Sequence, residues 1–262
     1  MKLAANLSWL YADEPRVERR FEAAVRDGFE AVEVLLPYNQ SPDWYGGVVR
    51  RSGVVLALIN TPVGEGAAFR GYAAVPGAEK EFSSAFDLAL AVALATGCRC
   101  IHVMAGHVES FDAAQSRATL LGNLEHALRR AEPHGIRLTL EALNRTDMGG
   151  YFYWLPAQAI EIVRNFDSPL LRLQFDFYHC VMEGLDPRNE VDAAAPWIGY
   201  AQIAGVPGRY EPNLGQDHLL EAVQRLHASG YNGWLGCEHR PRTTAAEGLG
   251  WCALLRGSGV LS

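Results

Sequence analysis

Strand-like and helix-like segments alternate along almost the whole chain. Eight short segments rich in aliphatic and β-branched residues recur, and nearly all are followed by a helical pattern; they read KLAANLS, EAVEVLLP, VVLALIN, CRCIHVMAG, IRLTLEALN, LLRLQFDFYH, WIGYAQIAG and GWLGCEH. Strands separated by helices pair in parallel through right-handed crossovers. Eight such units in 262 residues, with no glycine fingerprint after the first strand, favour a closed (β/α)8 TIM barrel over an open doubly wound sheet. The chain is therefore expected to form one α/β domain over residues 1–262.

Charge and composition narrow the class of partner. The formal net charge is -7, whereas nucleic acids and anionic membranes require a basic surface, so a small molecule is the expected ligand. The chain shows neither a signal-peptide pattern nor an apolar run of membrane-spanning length, and its five cysteines lack CxxC spacing. These features predict a cytoplasmic protein with buried thiols. They leave open whether the protein forms a homo-oligomer.

Four consecutive strands end in polar side chains. In IRLTLE and LLRLQFD polar and aliphatic residues alternate, so each strand has one apolar face and one face with charged and amide groups. Helices cover the outside of a TIM barrel, and the polar faces must therefore point into the lumen. Reactive groups in such barrels lie at the carboxyl ends of the strands. The residues at or near those ends in strands five to eight are Glu141, Asp176, Gln202 and Glu238.

Three carboxylates that meet at one point need a counter-charge or raised pKa values. An all-oxygen set of ligands is what a hard divalent ion such as Mg²⁺ or Mn²⁺ prefers, so we predict a metal site at these four residues. The alternative is four unrelated polar groups, each satisfied by loop amides or by Arg137 and Arg172. Whether a metal is required stays open.

Several longer blocks carry a family resemblance. The chain resembles the hydroxypyruvate isomerase family, within the xylose-isomerase-like barrels, in the blocks AANLSWLY, VEVLLPYN, RGYAAVPG, HVMAG, LEALNRTDMGGYFY, LQFDFYH, AQIAGVPGRYEP and GWLGCEHRP. The resemblance runs nearly end to end. It implies that Glu141, Asp176, Gln202 and Glu238 bind a divalent metal, and that Glu141 and Glu238 also donate and accept protons. The implied reaction is the reversible conversion of hydroxypyruvate into tartronate semialdehyde, 2-hydroxy-3-oxopropanoate.

Four further residues are candidates for substrate binding. His179 could bind a substrate oxygen or orient a ligand, or be a satisfied loop histidine. Arg209 could bind a substrate carboxylate through its fork of donors, or pair with Glu211 at the surface; the resemblance favours the first. Asn60, at the end of the third strand, suits substrate contact or turn capping, and His107 after the fourth strand is equally ambiguous.

Two segments depart from the family pattern. Tyr200, Ala201 and Gly205 stand where the family tends to carry HIQIADVPG, and Gln216 in EPNLGQDHLLEAV stands where a glutamate is usual. Substrate specificity, oligomer contacts or turnover could therefore differ. The irregular stretch from residue 61 to 77 is long enough for a flap over the strand ends.

Other functions stay open on the same barrel. The same chemistry on a longer acid, 2-oxo-tetronate, or epimerisation of a ketose at carbon 3, would reuse two glutamates and a metal. A metal-dependent phosphodiesterase like endonuclease IV would need several histidine ligands and a basic groove. A non-catalytic sugar-acid binding protein is the third class, and the altered NLGQDH segment keeps it open.

Overall fold

Eight parallel strands close into a barrel. A computed structural model of the protein describes residues 1–64 and 70–261. Each strand pairs with the next along the chain, and the last pairs with the first. The strands are β1 Lys2–Asn6, β2 Ala31–Glu33, β3 Val55–Asn60, β4 Cys100–His102, β5 Arg137–Glu141, β6 Leu171–Asp176, β7 Ile198–Ile203 and β8 Trp234–Cys237. The predicted α/β barrel is confirmed.

Helices follow the strands around the ring. The described residues contain α1 Val17–Arg26, α2 Pro42–Ser52, α3 Glu79–Thr96, α4 Ala113–Ala131, α5 Pro156–Phe166, α6 Phe177–Met182, α7 Pro187–Ala194, α8 Leu219–Ala228, α9 Ala245–Gly248 and α10 Gly250–Gly257. None of these helices is both long and apolar enough to cross a membrane. The predicted flap over residues 61–77 includes 65–69, which lie outside the described residues.

Local sequence signals explain where α2 begins and ends. The Ser41 hydroxyl accepts a hydrogen bond from the backbone N–H of Trp44, and Pro42 occupies the first turn, where no N–H partner is needed. Gly53 ends the helix at φ 73°, a left-handed conformation that glycine adopts without a steric penalty. The chain then enters β3, so these caps set the length of the connection.

Apolar side chains close the lower part of the lumen and leave the upper part polar. The lower cluster consists of small and aromatic residues packed against the partly buried Trp234; its members are Ala4, Ala31, Ala57, Leu58, Cys100 and Tyr200. A second and larger core lies between the strands and the surrounding helices. Each fully buried large aliphatic or aromatic side chain contributes about 1.5–3 kcal/mol to folding, so this double packing fixes the strands that carry the polar groups above.

Candidate active site

The four predicted metal ligands converge at the carboxyl ends of β5 to β8. Glu141 and Asp176 are the last residues of their strands, and Glu238 directly follows β8. Asp176 pairs with Gln202 across β6 and β7. Each carboxylate is 5% exposed and Gln202 is fully buried. Gln174, between them on β6, donates from Nε2 to Glu141 Oε2 at 2.9 Å and to Gln202 Oε1 at 2.6 Å.

Arg209 enters this group from the loop after β7. Gly208 and Arg209 both take left-handed conformations, at φ 84° and 60°, which turn the chain back over the barrel. The backbone N–H of Arg240 donates to the Arg209 carbonyl at 2.7 Å and holds the turn. The guanidinium lies 2.9 Å from Asp176 Oδ2 and 3.1 Å from Glu238 Oε1. Arg209 thus pairs with the site carboxylates instead of with Glu211 at the surface.

His179 reaches the site because β6 ends earlier than its sequence suggests. The predicted strand LLRLQFDFYH stops at Asp176, whose carboxylate accepts from the Tyr178 N–H at 2.8 Å and caps α6. One helical turn then brings His179 back beside Asp176, with Nε2 3.6 Å from Oδ2 and 4.0 Å from Glu141 Oε1. The Asn144 N–H donates to His179 Nδ1 at 3.0 Å, so the ring proton of the neutral histidine is on Nε2 and faces the carboxylates. Arg209 Nη2 lies 2.8 Å from the same nitrogen; both groups are donors in this tautomer, so the contact is not a hydrogen bond.

Burial and crowding shift the titration of the site. Burial, with Glu238 and Asp176 nearby, raises the pKa of Glu141 well above its usual range. For Glu238, burial and the Asp176 charge raise the pKa to about 7 against the opposing effect of Arg209. Burial, and next the Arg209 charge, hold the pKa of His179 well below its usual range, so the ring is neutral. The site can therefore hold a proton on one carboxyl while another accepts one at neutral pH.

The residues present fit a divalent cation. Three ionised carboxylates and Arg209 leave two negative charges, which one divalent ion would balance. Glu141 Oε1 is buried and accepts no hydrogen bond from any residue that the structure describes. One carboxylate oxygen each of Glu141 and Asp176, together with a ring nitrogen of His179, lie within 4.8 Å of one another. The carboxylate oxygens and the Gln202 amide oxygen match Mg²⁺ or Mn²⁺. His179 has Nδ1 occupied by the Asn144 N–H and a proton on Nε2, so its ring offers no free lone pair to the ion.

Trp9 forms one wall of the site. Its indole N–H donates to Glu238 Oε1 at 3.1 Å. The guanidinium carbons of Arg209 and Arg240 lie 5.4 Å and 4.5 Å from the ring centre. These contacts hold the indole beside Glu238, and the ring limits the approach of water to that carboxylate.

Asn60 and His107, the two remaining substrate-binding candidates, lie in different settings. Asn60 ends β3 and is 8% exposed; its side-chain Oδ1 is buried without a hydrogen-bond partner among the described residues. His107 is half-exposed, with Nε2 3.6 Å from Glu109 Oε2 and its backbone bridged to Tyr151. The structure therefore brings Asn60 to the strand ends and places His107 at the rim.

His102 is buried 3.2 Å from Glu141 Oε2, and burial lowers its pKa to about 3.

The sequence analysis missed Glu33, which ends β2 and is fully buried. Burial and the nearby Glu238 charge raise its pKa to about 8. Glu141 closes the alternating segment LTLE, whereas Glu33 lies inside the apolar segment EAVEVLLP, so the sequence pattern did not mark it as the end of a strand. The backbone N–H of Asn144, which fixes the ring of His179, carried no sequence signal either, because it belongs to an irregular loop.

A closed parallel barrel with buried acids at the carboxyl ends of its strands places the chain among the TIM-barrel enzymes. Residues 21–255 match the family model described as xylose isomerase-like TIM barrel, and the chain belongs to that family. The chain is an isomerase. Its relatives are named hydroxypyruvate isomerase or 2-oxo-tetronate isomerase, which confirms the family resemblance seen in the sequence.

Two curated relatives and one solved structure illustrate the similarity. The chain is 39% identical over 253 residues to the 2-oxo-tetronate isomerase of Cupriavidus necator, covering 95% of this chain and 96% of that one. It is 34% identical to the hydroxypyruvate isomerase of Escherichia coli, covering 96% and 98%. A crystal structure titled AP endonuclease, family 2, from Brucella melitensis superposes with a TM-score of 0.90 at 35% identity, covering 97% of this chain and 99% of that one.

Proposed function

We propose that this isomerase interconverts a short 2-oxo-3-hydroxy acid and its 2-hydroxy-3-oxo isomer, with Glu141 and Glu238 as the acid and base. Hydroxypyruvate and tartronate semialdehyde are the first candidate pair. The observation that carries the proposal is the presence of two buried glutamates with raised pKa values on strands three apart in the ring. A three-carbon acid could lie between them.

The proposed reaction moves one proton between two carbons and one proton between two oxygens. In one direction the base takes a proton from carbon 3, the electron pair of that C–H bond forms the second bond between carbons 2 and 3, and the carbonyl pair of carbon 2 moves onto its oxygen. The acid then returns a proton to carbon 2, while the hydroxyl proton on the carbon 3 oxygen passes to the carbon 2 oxygen, so that the carbonyl forms again at carbon 3. The roles of Glu141 and Glu238 exchange in the reverse direction. A divalent cation held by Glu141, Asp176, Gln202 and Glu238 would supply positive charge for the enediolate oxygens.

Arg209 and His179 would bind the substrate oxygens. The Arg209 Nε is buried and donates no hydrogen bond within the part of the chain that the structure describes. Its Nη atoms already hold Asp176 and Glu238, so Nε–H remains for a substrate carboxylate oxygen. The Nε2–H of His179 would donate to the hydroxyl or carbonyl oxygen next to the reacting carbons.

A second candidate substrate is 2-oxo-tetronate, which has one more carbon. Three relatives that bear this name are 39%, 36% and 32% identical to the chain, a range that includes the 34% of the Escherichia coli hydroxypyruvate isomerase. Asn60 Oδ1, the buried acceptor described above, could take a hydrogen bond from the additional hydroxyl group. The carbonyl would move between carbons 2 and 3 in both substrates, so the same two glutamates would serve.

Two other functions are less well supported. A phosphodiesterase would need several histidine ligands and a basic groove, whereas the cluster described here has carboxylates and one histidine in an acidic chain. The alternative of a non-catalytic binding protein depends on the altered segment 213–218. That segment is exposed except for Leu214. Its changes therefore leave the buried carboxylates in place.

Proton exchange in D₂O tests the proposal. The purified protein is incubated separately with hydroxypyruvate and 2-oxo-tetronate, with Mg²⁺ or Mn²⁺ or with EDTA, and followed by proton NMR. We expect isomer formation with deuterium at the reacting carbon. The exchange rate should fall about 10²–10⁴-fold in Glu238→Gln, because that variant loses a proton-transfer group. Glu22→Gln, at an exposed position on α1, is the matched control. Absence of exchange with both acids, or full exchange in Glu238→Gln, would refute the proposal.

A further inference from the structure

Glu33 is a buried acid that the proposed reaction does not use. It is fully buried at the end of β2 and accepts hydrogen bonds from side chains on β1 and β7. Oε2 accepts from Asn6 Nδ2 at 2.7 Å and from Gln202 Nε2 at 3.0 Å, and Oε1 accepts from the Tyr200 hydroxyl at 2.6 Å. Both amides therefore meet the same carboxylate oxygen.

A backbone donor determines which side-chain atoms donate and which accept in these hydrogen bonds. The N–H of Ser8 donates to Asn6 Oδ1 at 3.0 Å. A backbone N–H can only donate, so the Asn6 oxygen must face Ser8 and its NH₂ must face Glu33. Glu33 Oε2 is then an acceptor for Asn6 and also for Gln202. An amide can orient in two ways, and this acceptor selects one of them for Gln202.

The selected orientation turns the Gln202 oxygen toward the Gln174 amide, which also contacts Glu141. With Nε2 on Glu33, Oε1 of Gln202 faces Gln174 Nε2 at 2.6 Å, and the same Gln174 nitrogen donates to Glu141 Oε2 at 2.9 Å. If the Gln202 amide were reversed, two NH₂ groups would face each other there. A reversed amide would also present a donor, which cannot ligate a cation, to the site.

The barrel makes room for this arrangement. A Cβ added at Gly236 would lie 1.8 Å from Glu33 Oε1 and 2.8 Å from Gln202 Cγ, so only glycine fits beneath the two side chains. The pairing register also shifts between Val32 and Glu33 on β2. Register shifts of this kind re-aim side chains at the rims of barrels.

We propose that Glu33 is a positioning residue: its Oε2 holds the Gln202 amide so that the carbonyl oxygen faces a divalent cation bound among Glu141, Asp176 and Glu238. The inference rests on the proposed function, since the cation site is part of it. Glu33 itself touches neither the cation nor the substrate in this proposal, and its effect passes through Gln202.

The role depends on an acceptor at Oε2 and not on the charge of Glu33. The Tyr200 hydroxyl, on the other oxygen, can donate or accept. Glu33→Gln can therefore keep a carbonyl toward Asn6 and Gln202 and turn its NH₂ toward Tyr200. Glu33→Met has a similar length but offers no acceptor, and the Gln202 amide is then free to reverse.

The test is the affinity of the metal-stripped protein for Mn²⁺, measured by titration calorimetry and by the EPR signal of free Mn²⁺. Loss of an orienting partner typically weakens metal binding about 10–100-fold, and we expect that loss in Glu33→Met, against less than about threefold in Glu33→Gln. Gln202→Glu makes both terminal oxygens acceptors, so orientation no longer matters. In that background Glu33→Met should cost less than about threefold.

Several outcomes would overturn the inference. Wild-type affinity in Glu33→Met, or an equal loss from Glu33→Met in the wild-type and Gln202→Glu backgrounds, would show that Glu33 does not act through the amide. Circular dichroism checks the folding of each variant; if Glu33→Met does not fold, Glu33→Gln decides, because a tenfold or greater loss there would mean that charge and not the acceptor matters. A wild-type protein that exchanges protons but binds no Mn²⁺ would remove the cation site and leave the isomerase proposal standing.

Discussion

Replacing Gly236 by alanine tests the packing beneath Glu33. The substitution adds one methyl group at a position of β8 whose backbone is not left-handed, so steric contact is its main effect. The new Cβ would lie 1.8 Å from Glu33 Oε1, whereas ordinary contact begins at 3.4 Å. The carboxylate must therefore move by about 1.6 Å if the strand stays in place.

That movement breaks the three hydrogen bonds of Glu33. Each bond contributes about 1 kcal/mol net, so their loss costs about 3 kcal/mol, before any overpacking of the strand is added. In a protein of this size a destabilisation of about 1 kcal/mol lowers Tm by about 2–4 °C. We therefore expect Gly236→Ala to lower Tm by about 6–12 °C.

The assay is thermal unfolding followed by circular dichroism, with Gly122→Ala as the matched control. Gly122 is exposed in α4 and a Cβ there meets nothing within 4 Å, so alanine should stabilise that helix by about 0.5–1 kcal/mol through its higher helix propensity. The two Gly→Ala changes should thus have opposite signs. A Tm for Gly236→Ala within about 1 °C of wild type would refute the packing argument.

Three further predictions follow from buried groups and a helix cap. Burial raises the pKa of Cys98 and Cys100 from 9 to about 12, so as pH rises both thiols ionise in the unfolded chain before they ionise in the folded protein. The free energy of unfolding should therefore fall from pH 9 upward, by about 1.4 kcal/mol per thiol at pH 10. Urea unfolding measures this fall, which should be smaller in a Cys98→Val/Cys100→Val variant. Arg209→Met leaves buried carboxylates without their cation and should cost the metal-free protein about 3–5 kcal/mol, and Mn²⁺ should raise Tm more in this variant than in wild type. Ser41→Ala removes the cap of α2 and should destabilise the protein by about 1 kcal/mol, measured by the same unfolding assay, whereas Ser41→Asp should retain stability.

The barrel and the convergence of its acids follow from periodicity. Alternation in β5 and β6 separates an outward apolar face from an inward polar face, and parallel strands bring their carboxyl ends together. Glu141, Asp176 and Gln202 could therefore be placed in one lumen from the sequence. Glu33 is the last residue of its strand in the structure, but the apolar pattern continues through Leu36, so the same rule did not find it.

The position of Arg209 is not encoded by a periodic pattern. Its approach to Asp176 depends on two consecutive left-handed residues and on a backbone contact with Arg240, which lies 31 residues further along the chain. His179 was a candidate from the sequence, but the path by which it reaches the site was not predictable, for a different reason. Had the strand continued to His179, alternation along the strand would have set the direction of its side chain. In the structure the Asp176 side chain caps a helix, and the helical turn sets that direction instead.

The site combines two opposing demands on its carboxylates. Proton transfer near neutral pH requires raised pKa values, and burial supplies them at Glu141 and Glu238. Burial of several anions together would destabilise the fold if no positive charge or donor met them. Arg209 meets Asp176 and Glu238, while Glu141 receives only the Gln174 amide on one oxygen and leaves the other unpaired within the described chain. The carboxylate with the least compensation is therefore the one where an added cation has most to gain.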